Sequence, residues 1–110
     1  MNKLHYSPEA LSDLDEIWAY SFEDLQNPPA AQNTVNGILD NIETLREFSE
    51  IGPLLSSATD VESDYRFLVC GNYLAFYHTG NKDINIDRIL YGKRNYLRIL
   101  FGNSPEETTI

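Results

Sequence analysis

Hydrophobic positions along the chain change period once. From Leu11 to Leu45 they recur every three or four residues; from Tyr65 to Tyr91 they come in short aliphatic and aromatic blocks separated by turn residues. The first regime is helical and the second is extended. Ahead of both, Lys3–Tyr6 is too short for a helix and reads as a strand. Ser7-Pro8-Glu9-Ala10 is a helix start: Ser as N-cap, Pro in the first turn, Glu facing the positive end of the helix dipole. Leu11, Leu14, Ile17/Trp18, Phe22 and Leu25 then form one apolar stripe, predicting a helix over 8–26. Asn27-Pro28-Pro29 ends it, because Pro cannot continue a helix and restricts the residue before it.

Ala31, Val35, Ile38, Ile42 and Leu45, widened by Leu39 and Phe48, predict a second helix over about 29–48. The short connection makes the two helices antiparallel neighbours. Their stripes suit packing within one small domain better than a coiled-coil seam. Residues 50–64, with Gly52-Pro53 and several Ser, Thr and Asp, read as a loop. Tyr65–Cys70, Tyr73–Thr79 and Ile84–Tyr91 are three strands joined by Gly71-Asn72 and by Gly80-Asn81-Lys82-Asp83, which makes an antiparallel meander. Along the middle strand Tyr73, Ala75 and Tyr77 share one face, and Leu74, Phe76 and His78 the other. Tyr96–Phe101 fits a short helix or an extension of the sheet, and Asn103–Ile110 reads as a frayed tail. The order is β-α-α-β-β-β plus a short C-terminal segment. It predicts a single α+β domain over 1–110, with a helical hairpin on an antiparallel sheet whose edge takes the first strand.

Charge sharpens this picture. The chain of 110 residues carries a net charge of −9. Residues 1–64 hold 13 acidic side chains against Lys3 and Arg46, a net of −11, whereas residues 65–110 hold four acidic and six basic ones, a net of +2. No Asp or Glu falls between Arg88 and Pro105. A field of that sign repels nucleic acid, so direct sequence-specific binding to DNA or RNA is not expected. A single Cys70 forms no internal disulfide, no apolar run reaches the ~18–20 residues of a membrane span, and the first residues lack a signal-peptide pattern. The expectation is a cytoplasmic protein with no membrane association.

Motifs for catalysis are sparse. The sequence holds no glycine-rich nucleotide loop, no H-E-x-x-H and no cysteine pair, so neither a metal nor another cofactor is expected. Glu9, Asp13 and Glu16 on the first helix read as a solvated acidic face rather than an acid–base pair. His5 and His78 read as packed or surface histidines, and Cys70 as a small core residue. Arg66, Arg88, Lys93, Arg94, Tyr96 and Arg98 remain. Guanidinium groups beside an aromatic ring suit phosphates, stacked bases or an acidic partner surface, but Arg66 and Arg88 also suit internal pairing with the acidic helices.

Y-S-P-E-A at the first helix, the Y-R…G-N-Y hairpin (Tyr65-Arg66 to Gly71-Asn72-Tyr73) and Arg88-Ile89-Leu90-Tyr91-Gly92-Lys93-Arg94 resemble the RelE/ParE superfamily of bacterial type II toxins over residues 3 to about 101. The resemblance implies that family's fold and a cognate antitoxin as partner. It also implies one of two activities. RelE-like members cleave mRNA on the ribosome without metal; ParE-like members poison DNA gyrase. RelE-like nucleases carry an Arg after the hairpin tyrosine, where this chain has Leu74, and their late tyrosine aligns near Leu100. The R-I-L-x-G-[KR]-R ending looks more like ParE. The resemblance therefore implies gyrase as target, contacted by Arg88, Lys93, Arg94, Tyr96 and Arg98. No catalytic residue is identified. In the alternative nuclease, Arg66 and Arg94 would hold the phosphate and Tyr96 or His78 would move the proton. A third reading is an inactive member that only binds its antitoxin.

Overall fold

A computed structural model of the chain describes residues 2–25, 28–60 and 62–102. The expected frayed tail and the break at Asn27 lie outside these residues. Along the chain the elements are β1 (Lys3–Tyr6), α1 (Pro8–Leu25), α2 (Pro28–Glu43), β2 (Arg66–Cys70), β3 (Tyr73–Thr79), β4 (Asp83–Tyr91) and α3 (Tyr96–Phe101). Single 3-10 turns follow α2 at Thr44–Arg46 and interrupt the long loop at Leu55–Ser57.

The strands form one sheet in the order β1-β4-β3-β2. β2, β3 and β4 are the expected antiparallel meander, and β1 adds to its edge. The sheet is nevertheless mixed, because β1 runs parallel to β4, Lys3 beside Asp83 through Tyr6 beside Ile86. A parallel neighbour needs a long crossover, and the whole helical hairpin lies between these two strands. Gly71 has φ +63, which suits the first central position of the two-residue turn between Cys70 and Tyr73.

Ser7 begins α1 as expected: its Oγ accepts from the Ala10 amide at 2.9 Å. The same hydroxyl donates to the Asp87 carbonyl at 2.7 Å, and the Ser7 amide donates to the Ile86 carbonyl. The helix start is thereby stitched to β4 where β1 ends. α1 turns Ala10, Leu14 and Ile17 inward with Ile38 and Ile42 of α2 and Leu45, against Ala75 and Tyr77 of β3 and Ile84, Ile86 and Ile89 of β4. The hairpin thus packs on the sheet, as the stripes predict. The inward face of α1, however, is rotated from the expected stripe: Leu11, Trp18 and Phe22 are exposed, while Asp13 and Ser21 are buried. α2 is also shorter than expected. Its chain tightens into the 3-10 turn at Thr44, and Phe48, expected on the stripe, projects into solvent.

The opposite face of the sheet carries a second core of Phe76, Leu90 and Leu55, covered by Tyr96, Leu97, Ile99 and Leu100 of α3 and by Tyr65 and Phe67. The ambiguous C-terminal stretch is therefore a helix, its first turn capped by the Asn95 side chain, which accepts from the Arg98 amide. The 50–64 loop is more tightly held than its polar composition suggests. The Tyr77 hydroxyl, deep in the first core, accepts from the Gly52 amide and donates to the Ser49 carbonyl, both at 3.0 Å. A Cβ at Gly52 would lie 2.4 Å from the Phe67 carbonyl oxygen, so the approach requires glycine.

Candidate functional site

β1 pairs only with the first half of β4, which leaves residues 87–91 at an open edge beside α1. β4 carries an extra residue here. Tyr77 lies opposite Ile86 and Phe76 opposite Arg88, so Asp87 is bulged and the alternation of side chains shifts by one. Ile84, Ile86 and Ile89 therefore all reach the helix side, while Leu90 reaches the second core.

Arg88 meets Asp13 of α1 at this open edge. The guanidinium donates through Nε and Nη2 to the two carboxylate oxygens, each at 2.8 Å, and the Ile89 amide donates to Asp13 Oδ2 at 2.9 Å. Asp13 is 5% exposed. Its carboxylate closes the β4 edge, supplying the acceptor that a neighbouring strand would. Two expectations change as a result. Asp13 is not part of a solvated acidic face, because its charge is neutralised internally. Arg88, expected on the target-binding surface, is committed to α1, and hydrogen bonding to Asp13 raises its pKa from an already high value.

The other cations of the C-terminal segment stand apart from this pair. Lys93 and Arg94 are exposed in the turn after β4, where the Arg94 amide donates to the Tyr91 carbonyl, and neither side chain forms an ion pair among the described residues. Arg98 is exposed on α3. Tyr96 turns inward and packs on Phe76 at 5.2 Å between ring centroids. Arg94 lines an open groove of about 500 Å³ between α1 and the ends of β3 and β4. Asp13, Glu16, Ile17 and Tyr20 form its helical wall; Tyr73, Ile89 and Tyr91 form its floor. Tyr73 and Tyr91 meet edge to face at 5.8 Å, and burial raises the Tyr73 pKa. Sequence reasoning missed this groove. Its signal was the i, i+3, i+4, i+7 spacing of Asp13, Glu16, Ile17 and Tyr20, a face neither wholly polar nor wholly apolar.

The residues considered for RNA cleavage are dispersed. Arg66, opposite Tyr77, donates to the Gly52 carbonyl at 2.8 Å. Tyr73, beside Tyr91 and the Arg94 turn, is four residues away along β3, about 13 Å at ~3.3 Å per residue. His78 is on the Arg66 side, its Nδ1 3.0 Å from Asp87 and its ring stacked on Tyr65 at 4.5 Å. The Tyr65 pKa is pushed up to about 12, first by burial and then by Asp87. Leu74, at the position of the nucleases' arginine, packs against the second core. His5 pairs with Asp83 at the surface, and Cys70 is a buried thiol whose pKa burial pushes up to about 11. Among the described residues no cluster of three His, Cys, Asp or Glu is placed to hold a metal, and no helix is long and apolar enough to cross a membrane.

Comparison with known proteins bears on the fold and the family. No curated protein matches the sequence. A solved chain from the chromosomal ParDE toxin–antitoxin system of P. aeruginosa is similar to this one, with a TM-score of 0.69 and 25% identity, over 83% of this chain and 96% of that one. The family model of the ParE toxin of the type II toxin–antitoxin system parDE matches residues 4–96, from the first strand to the start of α3. The chain belongs to the ParE toxin family of type II toxin–antitoxin systems.

Proposed function

We propose that this protein is a cytoplasmic toxin that inhibits DNA gyrase and is held inactive by a cognate antitoxin. The observation that carries the reading is the position of Lys93 and Arg94. They lie exposed at the end of the family's R-I-L-x-G-K-R strand, outside every internal ion pair among the described residues. Arg98 follows on the exposed side of α3. With Arg88 engaged by Asp13 and Tyr96 packed inward, the target-facing set narrows to Lys93, Arg94 and Arg98. Exposed arginines beside an aromatic floor are effective anchors for a protein surface. The dispersal of Arg66, Arg94, Tyr96 and His78 disfavours the nuclease alternative, which needs them around one phosphate.

A cleavage-complex assay tests the proposal, with purified toxin, supercoiled plasmid, ATP and gyrase. Linear DNA revealed by protease digestion is the expected result. The Arg94→Ala/Arg98→Ala variant is expected to lose it while melting within a few degrees of wild type, since both positions are exposed. Full activity in that variant places the contact elsewhere. No linear DNA from folded toxin rejects gyrase poisoning, and new 5′ ends in mRNA after induction would then point to RNA cleavage.

A further inference from the structure

The groove between α1 and the ends of β3 and β4 holds two charges that the fold leaves unanswered. Glu16, exposed on the helical wall, forms no ion pair among the described residues. Arg94 lines the same groove and also forms none, so the two side chains do not reach each other. Asp13 is different, because Arg88 grips both of its oxygens at 2.8 Å. The Arg88 pKa is raised first by that hydrogen bonding and further by the charge of Glu16. One guanidinium beside two carboxylates leaves the helical wall net negative, in a groove that also holds a free guanidinium. The remaining surface is largely aromatic. Tyr20 is 64% exposed and Tyr91 40%, and Tyr73 meets Tyr91 edge to face at 5.8 Å. Tyrosines gathered around one hollow supply apolar area with polar tips.

We propose that this groove binds a short free peptide as a zwitterion. Its terminal ammonium meets Glu16, its terminal carboxylate meets Arg94, and an apolar or aromatic side chain lies on the floor of Tyr73 and Tyr91. Charge selects this class of ligand. A polyanion is repelled by the net charge of −9 and finds one guanidinium. A simple cation answers Glu16 and leaves Arg94 facing a like charge, and a wholly apolar molecule would cover both charges without a partner. A dipolar ligand answers both. Size selects within the class: about 500 Å³ is the volume of a site for a molecule larger than one amino acid. An extended dipeptide sets its two ends about 7 Å apart at ~3.3–3.6 Å per residue, which lets it join two charges that cannot join each other.

The experiment titrates the isotope-labelled full-length protein with the dipeptide Phe-Leu and follows its amide resonances. Saturable shifts are expected at Tyr73, Ile89 and Tyr91. N-acetyl-Phe-Leu, which lacks the ammonium, Phe-Leu amide, which lacks the carboxylate, and Gly-Gly, which lacks the apolar body, are each expected to bind at least about fivefold more weakly. Glu16→Lys is expected to reverse the first preference, so that the acetylated peptide binds more tightly than Phe-Leu. Arg94→Glu is expected to reverse the second, in favour of the amide. The comparison of capped and free peptides uses the wild-type protein, so it stands even where a variant fails to fold. Equal binding of the free and capped peptides, shifts that do not saturate or that fall outside the groove, or unchanged preferences in variants with wild-type melting curves overturn the proposal. The titration contains neither gyrase nor antitoxin, so its failure and the failure of the cleavage assay are read separately.

Discussion

Removing Asp13 tests how α1 is held to the sheet. In Asp13→Ala the Arg88 guanidinium loses both of its 2.8 Å contacts and the Ile89 amide loses its acceptor. A broken buried ion pair costs ~3–5 kcal/mol. Arg88 is 27% exposed, so water recovers part of its solvation and the guanidinium's share falls to ~1–2 kcal/mol. Orphaning the buried Ile89 amide adds ~1–2 kcal/mol. The expected loss is about 3 kcal/mol, which lowers Tm by roughly 12 °C at ~4 °C per kcal/mol for a domain of this size.

Arg88→Met leaves the opposite orphan, a nearly buried carboxylate with one amide donor, and should cost a similar amount. Denaturant melts of wild type, both single variants and the double variant complete a cycle. A coupling of about 2 kcal/mol is expected, because each single variant already orphans the other partner. Additivity within about 0.5 kcal/mol, or a Tm drop under about 3 °C for Asp13→Ala, refutes the reasoning.

Tyr77→Phe removes the hydroxyl that holds Ser49 and Gly52 and should cost about 2 kcal/mol, with faster hydrogen exchange confined to residues 49–53; wild-type exchange there argues against the pin. Burial pushes the Cys70 pKa to about 11 and the Tyr6 and Tyr65 pKa values to about 12, each above its ordinary value. The unfolded chain loses these protons first, so stability should fall as pH rises from about 9 towards 12, and Cys70 should resist alkylation at pH 8 until the protein is denatured. A flat stability profile over that range, or alkylation at the rate of an exposed thiol, contradicts the burial.

Much of the fold was legible because local chemistry decides it. Ser7 caps α1, Gly71 turns the hairpin, and alternation along β3 separates Ala75 and Tyr77 from Leu74 and Phe76 onto two opposite cores. The errors fall where the deciding partner is remote in sequence. An apolar arc on α1 shows that one side is buried but not which edge of the arc meets the sheet. That was settled by Asp13, whose partner Arg88 is 75 positions away. A periodicity argument assigns an aspartate to solvent because burying a lone charge is costly, and it cannot see the cation that removes the cost. The parallel course of β1 is non-local in the same sense. So is the bulge at Asp87, which moves Ile89 onto the helix side.

The same pair changes how the positive segment works. Four cations from Arg88 to Arg98 suggested a basic patch, but Arg88 is spent inside the fold and Glu16 shares a groove with Arg94. What reaches solvent is Lys93, Arg94 and Arg98, in a chain whose first 64 residues carry a net of −11. Long-range attraction of a polyanion is therefore weak, and short-range contact must supply most of the affinity for any target. That favours a protein surface, where an arginine works by fit at close range, over an RNA or DNA backbone, where many phosphates must be neutralised together.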